Sequence, residues 1–106
     1  MYLARSVNGI LIRLTDERMA HIISNHPEVI NQVPGIIETI ERPDLLLGGD
    51  YSEMIAIKLF KKTPVTENKF LAVVYKEKSS TDGFILTAYF CSCYNKRRKV
   101  LWKPSG

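Results

Sequence analysis

The second half of the chain alternates apolar and polar residues with a period of two, a pattern that commits it to a sheet. Across Glu53–Lys61, Met54, Ala56, Lys58 and Phe60 fall on one side and Ile55, Ile57 and Leu59 on the other. Strand side chains alternate in this way, whereas helical ones recur every three to four residues. Phe70–Glu77 is a second such run, and Phe84–Cys93 a third, entered through the turn signal Asp82-Gly83. The connections, Thr63–Asn68 with Pro64 and Lys78–Gly83, are short, which predicts an antiparallel meander. In the third run Thr87 and Tyr89 point to the same side.

The first half carries the helices. Val7–Leu14 reads as a first strand, after which Thr15 offers an N-cap with Asp16 and Glu17 in the first turn. Met19, Ile22, Ile23 and His26 follow helical spacing and are expected to face the sheet. Pro27 ends or bends this helix, because the residue before a proline disfavours helical backbone. A short Glu28–Gln32 turn and a Pro34–Glu41 helix follow, the latter with Val33, Ile36, Ile37 and Ile40 as its buried stripe. Leu45–Leu47 is a short strand ended by Gly48-Gly49, and Val100-Leu101-Trp102 a closing strand or packed tail. The predicted fold is α+β: two or three N-terminal helices on a four- or five-stranded antiparallel sheet, with the opposite sheet face free for a site. At 106 residues the chain is expected to form one domain, 1–106, with 95–106 as a basic C-terminal strand or tail.

Charge is uneven. Residues 1–50 hold four arginines against seven acids, a balance of −3, while residues 51–106 hold eleven lysines and arginines against four acids, +7. A basic half attracts phosphate backbones, and it equally describes a solvated face. No apolar run approaches the roughly 18 residues a membrane helix needs, and MYLARSVNG lacks the pattern of a secretory leader. The expectation is a cytoplasmic protein without a membrane partner. Cys91 and Cys93, separated by one residue in a strand, are too close and too extended for an ordinary structural disulfide, so they read as buried or half-buried free thiols, with a metal or redox role as the alternative.

The two histidines, His21 and His26, lie within one six-residue window. Five residues apart, they would sit about 140° apart around a continuous helix, poor geometry for a shared metal. No metal or other cofactor is expected. Cleavage of RNA without a metal needs a base for the ribose 2′-hydroxyl, an acid for the departing 5′-oxygen, and donors or a cation for the phosphoryl oxygens. Histidine suits either proton role. Lys58, Thr87 and Tyr89 would supply charge, a short donor and a longer donor. Arg18 and the tract Lys96, Arg97, Arg98 and Lys99, flanked by Tyr94 and Trp102, are the nucleic-acid-binding candidates. Plainer readings stand beside these: an exposed His21, a His26 that caps the Pro27 turn, a Lys58 reaching solvent and a Trp102 in the core.

Two segments carry a family resemblance: His21-Ile22-Ile23-Ser24-Asn25-His26-Pro27-Glu28 on the helix and Gly83-Phe84-Ile85-Leu86-Thr87-Ala88-Tyr89 on the late strand. In this order the chain, over roughly residues 10–90, resembles the small-nuclease superfamily that links barnase, EndoU, the tRNA-cleaving colicins and the RelE toxins, most of all its phage-associated and bacterial members. The resemblance implies an α+β domain and metal-independent endoribonuclease activity, often that of a toxin restrained by a cognate inhibitor. His21, His26, Lys58, Thr87 and Tyr89 would then be catalytic, RNA the substrate, and an acidic inhibitor or antitoxin the protein partner. The competing expectation is a non-catalytic nucleic-acid-binding or protein-interaction domain on the same scaffold.

Overall fold

The computed structural model describes residues 1–62 and 67–105, so most of the turn expected at Thr63–Asn68 lies outside the described residues. In chain order the elements are β1 (Tyr2–Arg5), β2 (Leu11–Leu14), α1 (Asp16–Asn25), a 3-10 turn (Pro27–Val29), α2 (Val33–Glu41), β3 (Leu45–Gly48), β4 (Met54–Lys62), β5 (Glu67–Glu77), β6 (Gly83–Cys91) and β7 (Val100–Trp102). The strands form one sheet in the order β1-β2-β6-β5-β4-β3-β7. Every pair is antiparallel except β2 with β6, which is parallel.

The α+β class stands, but the expected four- or five-stranded antiparallel sheet does not: there are seven strands among the described residues, and the sheet is mixed. Two local causes account for the difference. Residues 7–9, read as the start of a strand, instead form a turn in which Gly9 adopts φ +80° and its N–H donates to the Ser6 carbonyl at 2.8 Å. That turn makes a hairpin of β1 and β2, and Glu77 fastens it by accepting from Ser6 Oγ at 2.6 Å and Asn8 Nδ2 at 2.9 Å. The hairpin leaves the other edge of β2 open to β6. There Ile12 pairs with Gly83 and Arg13 with Phe84, and the Arg13 guanidinium grips Asp82 through two bonds of 2.8 and 2.9 Å. A Cβ on Gly83 would stand 2.5 Å from the Lys76 carbonyl oxygen and 2.6 Å from Ile12 Cδ1, so the junction admits no side chain.

Both helices pack on one face. Thr15 Oγ1 accepts the Arg18 N–H at 3.0 Å and starts α1, which buries Met19 and Ile22. α2 begins with Pro34 in its first turn and buries Ile36, Thr39 and Ile40. Against them the sheet sets Ala4, Ile12, Leu14, Leu46, Ala56, Leu71, Val73, Tyr75, Ile85 and Ala88. On the opposite face a smaller cluster joins Leu47, Ile57 and Ala72 to the half-buried Leu45, Ile55, Phe70, Tyr89, Cys91 and Tyr94.

That second face is not wholly open. β6 ends at Cys91, and the chain must cross β5, β4 and β3 to reach the far edge as β7. The crossing segment packs Tyr94 edge-on against Phe70, with ring centroids 5.4 Å apart, and Arg98 donates to the Gly48 carbonyl and to Asp50. Among the described residues no helix is long and apolar enough to cross a membrane.

Candidate functional site

His26 stands where α1 stops. Its backbone N–H donates to the Ile22 carbonyl at 2.7 Å and closes the helix, and Pro27 then opens the 3-10 turn. The cap is made by the backbone alone, which leaves the imidazole free to turn towards β6. β2 accompanies β6 only at Gly83 and Phe84, and beyond them the end of α1 and the 3-10 turn reach β6. The His26 and Tyr89 rings meet there, centroids 5.5 Å apart and tilted by 34°. His26 is about one-third exposed, and its Nδ1 lies 3.8 Å from Glu28 Oε2.

Thr87 and Tyr89 do share a face. Thr87 pairs with Val74 and Tyr89 with Ala72, and the register shift that skips Leu86 lies before both. Burial, with a smaller contribution from Cys91, holds the Tyr89 hydroxyl above its usual pKa, and Arg98 opposes the shift. Tyr89 is therefore a proton-bearing donor at neutral pH. Beside it the crossing segment leaves a groove of about 190 Å³, lined among others by Tyr89, Cys91, Cys93, Tyr94, Asn95 and Arg98.

The remaining candidates sit elsewhere. Lys58 pairs with Leu71, which pairs with Phe90, so Lys58 belongs to the helix-covered face and points away from Tyr89. Its Nζ donates to the Arg42 carbonyl at 2.8 Å, at the end of α2, where a cation complements the exposed carbonyls. His21 is exposed, with Nε2 3.3 Å from Asn25 Nδ2, and shares a shallow depression with Thr15, Glu17 and Arg18. The structure thus joins His26 to Tyr89, keeps Thr87 on the same face as Tyr89, sets Arg18 and His21 on one depression, and separates Lys58 from all of them.

The basic tract divides as well. Lys96, Arg97 and Lys99 are exposed, whereas Arg98 is half-buried and ion-paired with Asp50 at 3.0 Å. Arg97, Arg98 and Lys99 border a second, larger cleft of about 620 Å³ with Gly48, Asp50 and Glu53. Trp102 packs against the helix-side core. Among the described residues no three His, Cys, Asp or Glu side chains group so as to hold a metal ion.

Glu28 belongs to the segment that carries the resemblance, though no role was read for it, and Asn95 gains a place at the groove that sequence reading did not give it. Glu28 was legible, because Pro27 turns the chain back on itself and sets residues 26 and 28 on one side. Asn95 was not, since its position depends on where the C-terminal segment crosses the sheet. No protein-family model, curated protein or solved structure matches the chain.

Proposed function

We propose that the chain is a metal-independent endoribonuclease whose reaction takes place at the rim between the end of α1 and β6. One observation carries this reading: the histidine of the His26-Pro27-Glu28 segment and the tyrosine of the Thr87-Ala88-Tyr89 segment, far apart in sequence, lie with their rings 5.5 Å apart. These segments also carry the resemblance to small nucleases.

In this account His26 takes the proton from the ribose 2′-hydroxyl, with the Glu28 carboxylate 3.8 Å from its Nδ1. The 2′-oxygen attacks the adjacent phosphorus, the bond to the 5′-oxygen breaks, and that oxygen takes a proton from water to leave as the 5′-hydroxyl. Tyr89, kept protonated by burial, donates to a phosphoryl oxygen as charge gathers there, and Thr87 is the second hydroxyl on that face. Arg98 supplies positive potential from within the groove, and the exposed Lys96, Arg97 and Lys99 draw in the backbone. An acidic protein that covers this cationic side would fit as an inhibitor.

The test is incubation of the purified protein with a mixed-sequence RNA oligonucleotide in chelator, beside the same sequence with 2′-deoxyribose throughout. Cleavage of the RNA alone, leaving 2′,3′-cyclic phosphate and 5′-hydroxyl ends, is the expected result. An intact RNA, or equal cleavage of both strands, contradicts the reading. The exposed cations beside the groove favour a second reading, binding of nucleic acid without cleavage. It requires salt-sensitive association that survives His26→Ala.

A further inference from the structure

We propose that Cys91 and Cys93 form a reversible dithiol–disulfide site, closed by a small-molecule disulfide such as oxidised glutathione. Both cysteines are free thiols, and both line the groove beside Tyr89. Residues two apart in a regular strand have Cα atoms about 6.4–6.8 Å apart. That is the upper limit for a disulfide, which spans roughly 4.4–6.8 Å. The strand ends at Cys91, however, and the chain bends at Ser92, so the pair is not held to the extended spacing, and both cysteines line one groove. Tyr94 on Phe70 and Arg98 on Asp50 anchor the segment just beyond, so Cys93 does not swing away from Cys91.

The two thiols differ in access. Cys93 is exposed; Cys91 is half-buried, and its thiol is held up by burial and then by the charge of Cys93, against a weaker pull from Lys69. Cys93 therefore reacts first. Its thiolate attacks one sulfur of glutathione disulfide, the S–S bond breaks, and one glutathione thiolate leaves. Cys91 then gives up its proton, and its sulfur attacks that of Cys93 and expels the second glutathione thiolate. The two protein thiols are oxidised and one glutathione disulfide is reduced to two glutathione thiols. A ring spanning a single intervening residue is strained, which makes the bond labile rather than structural. Its closure would fix the wall of the groove two residues beyond Tyr89.

The decisive measurement uses the unaltered chain. After treatment with oxidised glutathione, intact mass and thiol alkylation are read on the monomer before and after reduction. The sequence holds two cysteines, so a monomer that has lost two hydrogens and takes up no alkylating agent carries the Cys91–Cys93 bond. That product, restored to two free thiols by dithiothreitol, is expected, while Cys91→Ser stops with glutathione retained on Cys93. A wild-type chain that keeps glutathione on Cys93, stays unmodified, or forms disulfide-linked dimers overturns the proposal.

Discussion

Tyr75 offers a test of the packing that is independent of function. It lies in β5 on the helix side, with 0% of its surface exposed, and its hydroxyl has no hydrogen-bond partner among the described residues. In the unfolded chain that hydroxyl is hydrated. Folding buries it with no protein group placed to hydrogen-bond it, and a buried polar group left unsatisfied costs about 1–3 kcal/mol. Tyr75→Phe keeps the buried ring and deletes the orphaned group, so the variant is expected to be more stable by about 1–3 kcal/mol, the size of the relieved penalty. For a chain of this length each kcal/mol moves the melting temperature by roughly 4–8 °C. Urea unfolding at neutral pH and a thermal scan read both quantities.

The same residue sets a pH dependence. Burial, followed by the charge of Glu77, raises the Tyr75 hydroxyl well above its ordinary 10.0. The folded state therefore holds this proton more tightly than the unfolded state does. The associated stability is fully present below the unfolded pKa and is lost as pH climbs past it towards the folded pKa. The wild type should weaken above about pH 10 more steeply than Tyr75→Phe, though the variant keeps part of the slope through Tyr89, which is shifted the same way. A Phe variant less stable than wild type at neutral pH, or an unchanged alkaline slope, refutes the argument.

Lys58→Met should cost about 1–2 kcal/mol in urea unfolding, because it removes a charged donor from the end of α2, while RNA cleavage per folded molecule stays at the wild-type rate. Loss of activity without loss of stability would instead place Lys58 in the chemistry. Gly83→Ala forces a Cβ against the Lys76 carbonyl and Ile12, and overpacking of this kind costs about 1–3 kcal/mol; a neutral result in thermal unfolding would mean that the β2–β6 junction is misplaced. Replacing the exposed Lys96, Arg97 and Lys99 together by Ala should weaken RNA association and flatten its dependence on salt, as measured by fluorescence anisotropy, since each lost phosphate contact lowers the slope by roughly 0.7–0.9.

The strands that alternate cleanly were legible from local pattern. β4, β5 and β6 lie where Met54–Phe60, Phe70–Glu77 and the run after Asp82-Gly83 indicated, and Thr87 and Tyr89 share a face as alternation required. The β1–β2 hairpin was missed: Asn8-Gly9 is a strong turn signal, but the apolar residues on either side read as one strand, Val7–Leu14. The parallel contact between β2 and β6 could not be read, since no local signal links segments some seventy residues apart in sequence. It decides the site, because it brings α1 alongside β6 and so His26 to Tyr89. Lys58 shows the limit in the opposite sense. Alternation placed it correctly with Met54, Ala56 and Phe60, yet which face the helices cover depends on the whole sheet. The helices take the Ala56 face, and Lys58 ends beneath α2.

The central claim is that a single imidazole, the one resting against Tyr89, moves the proton. The most direct measurement is the single-turnover cleavage rate of one RNA oligonucleotide in chelator by wild type, His26→Ala and His21→Ala. General acid–base catalysis contributes about 10²–10⁴-fold, so His26→Ala is expected to fall by that factor while His21→Ala stays close to wild type. Equal losses in the two variants, or none in His26→Ala, contradict the account.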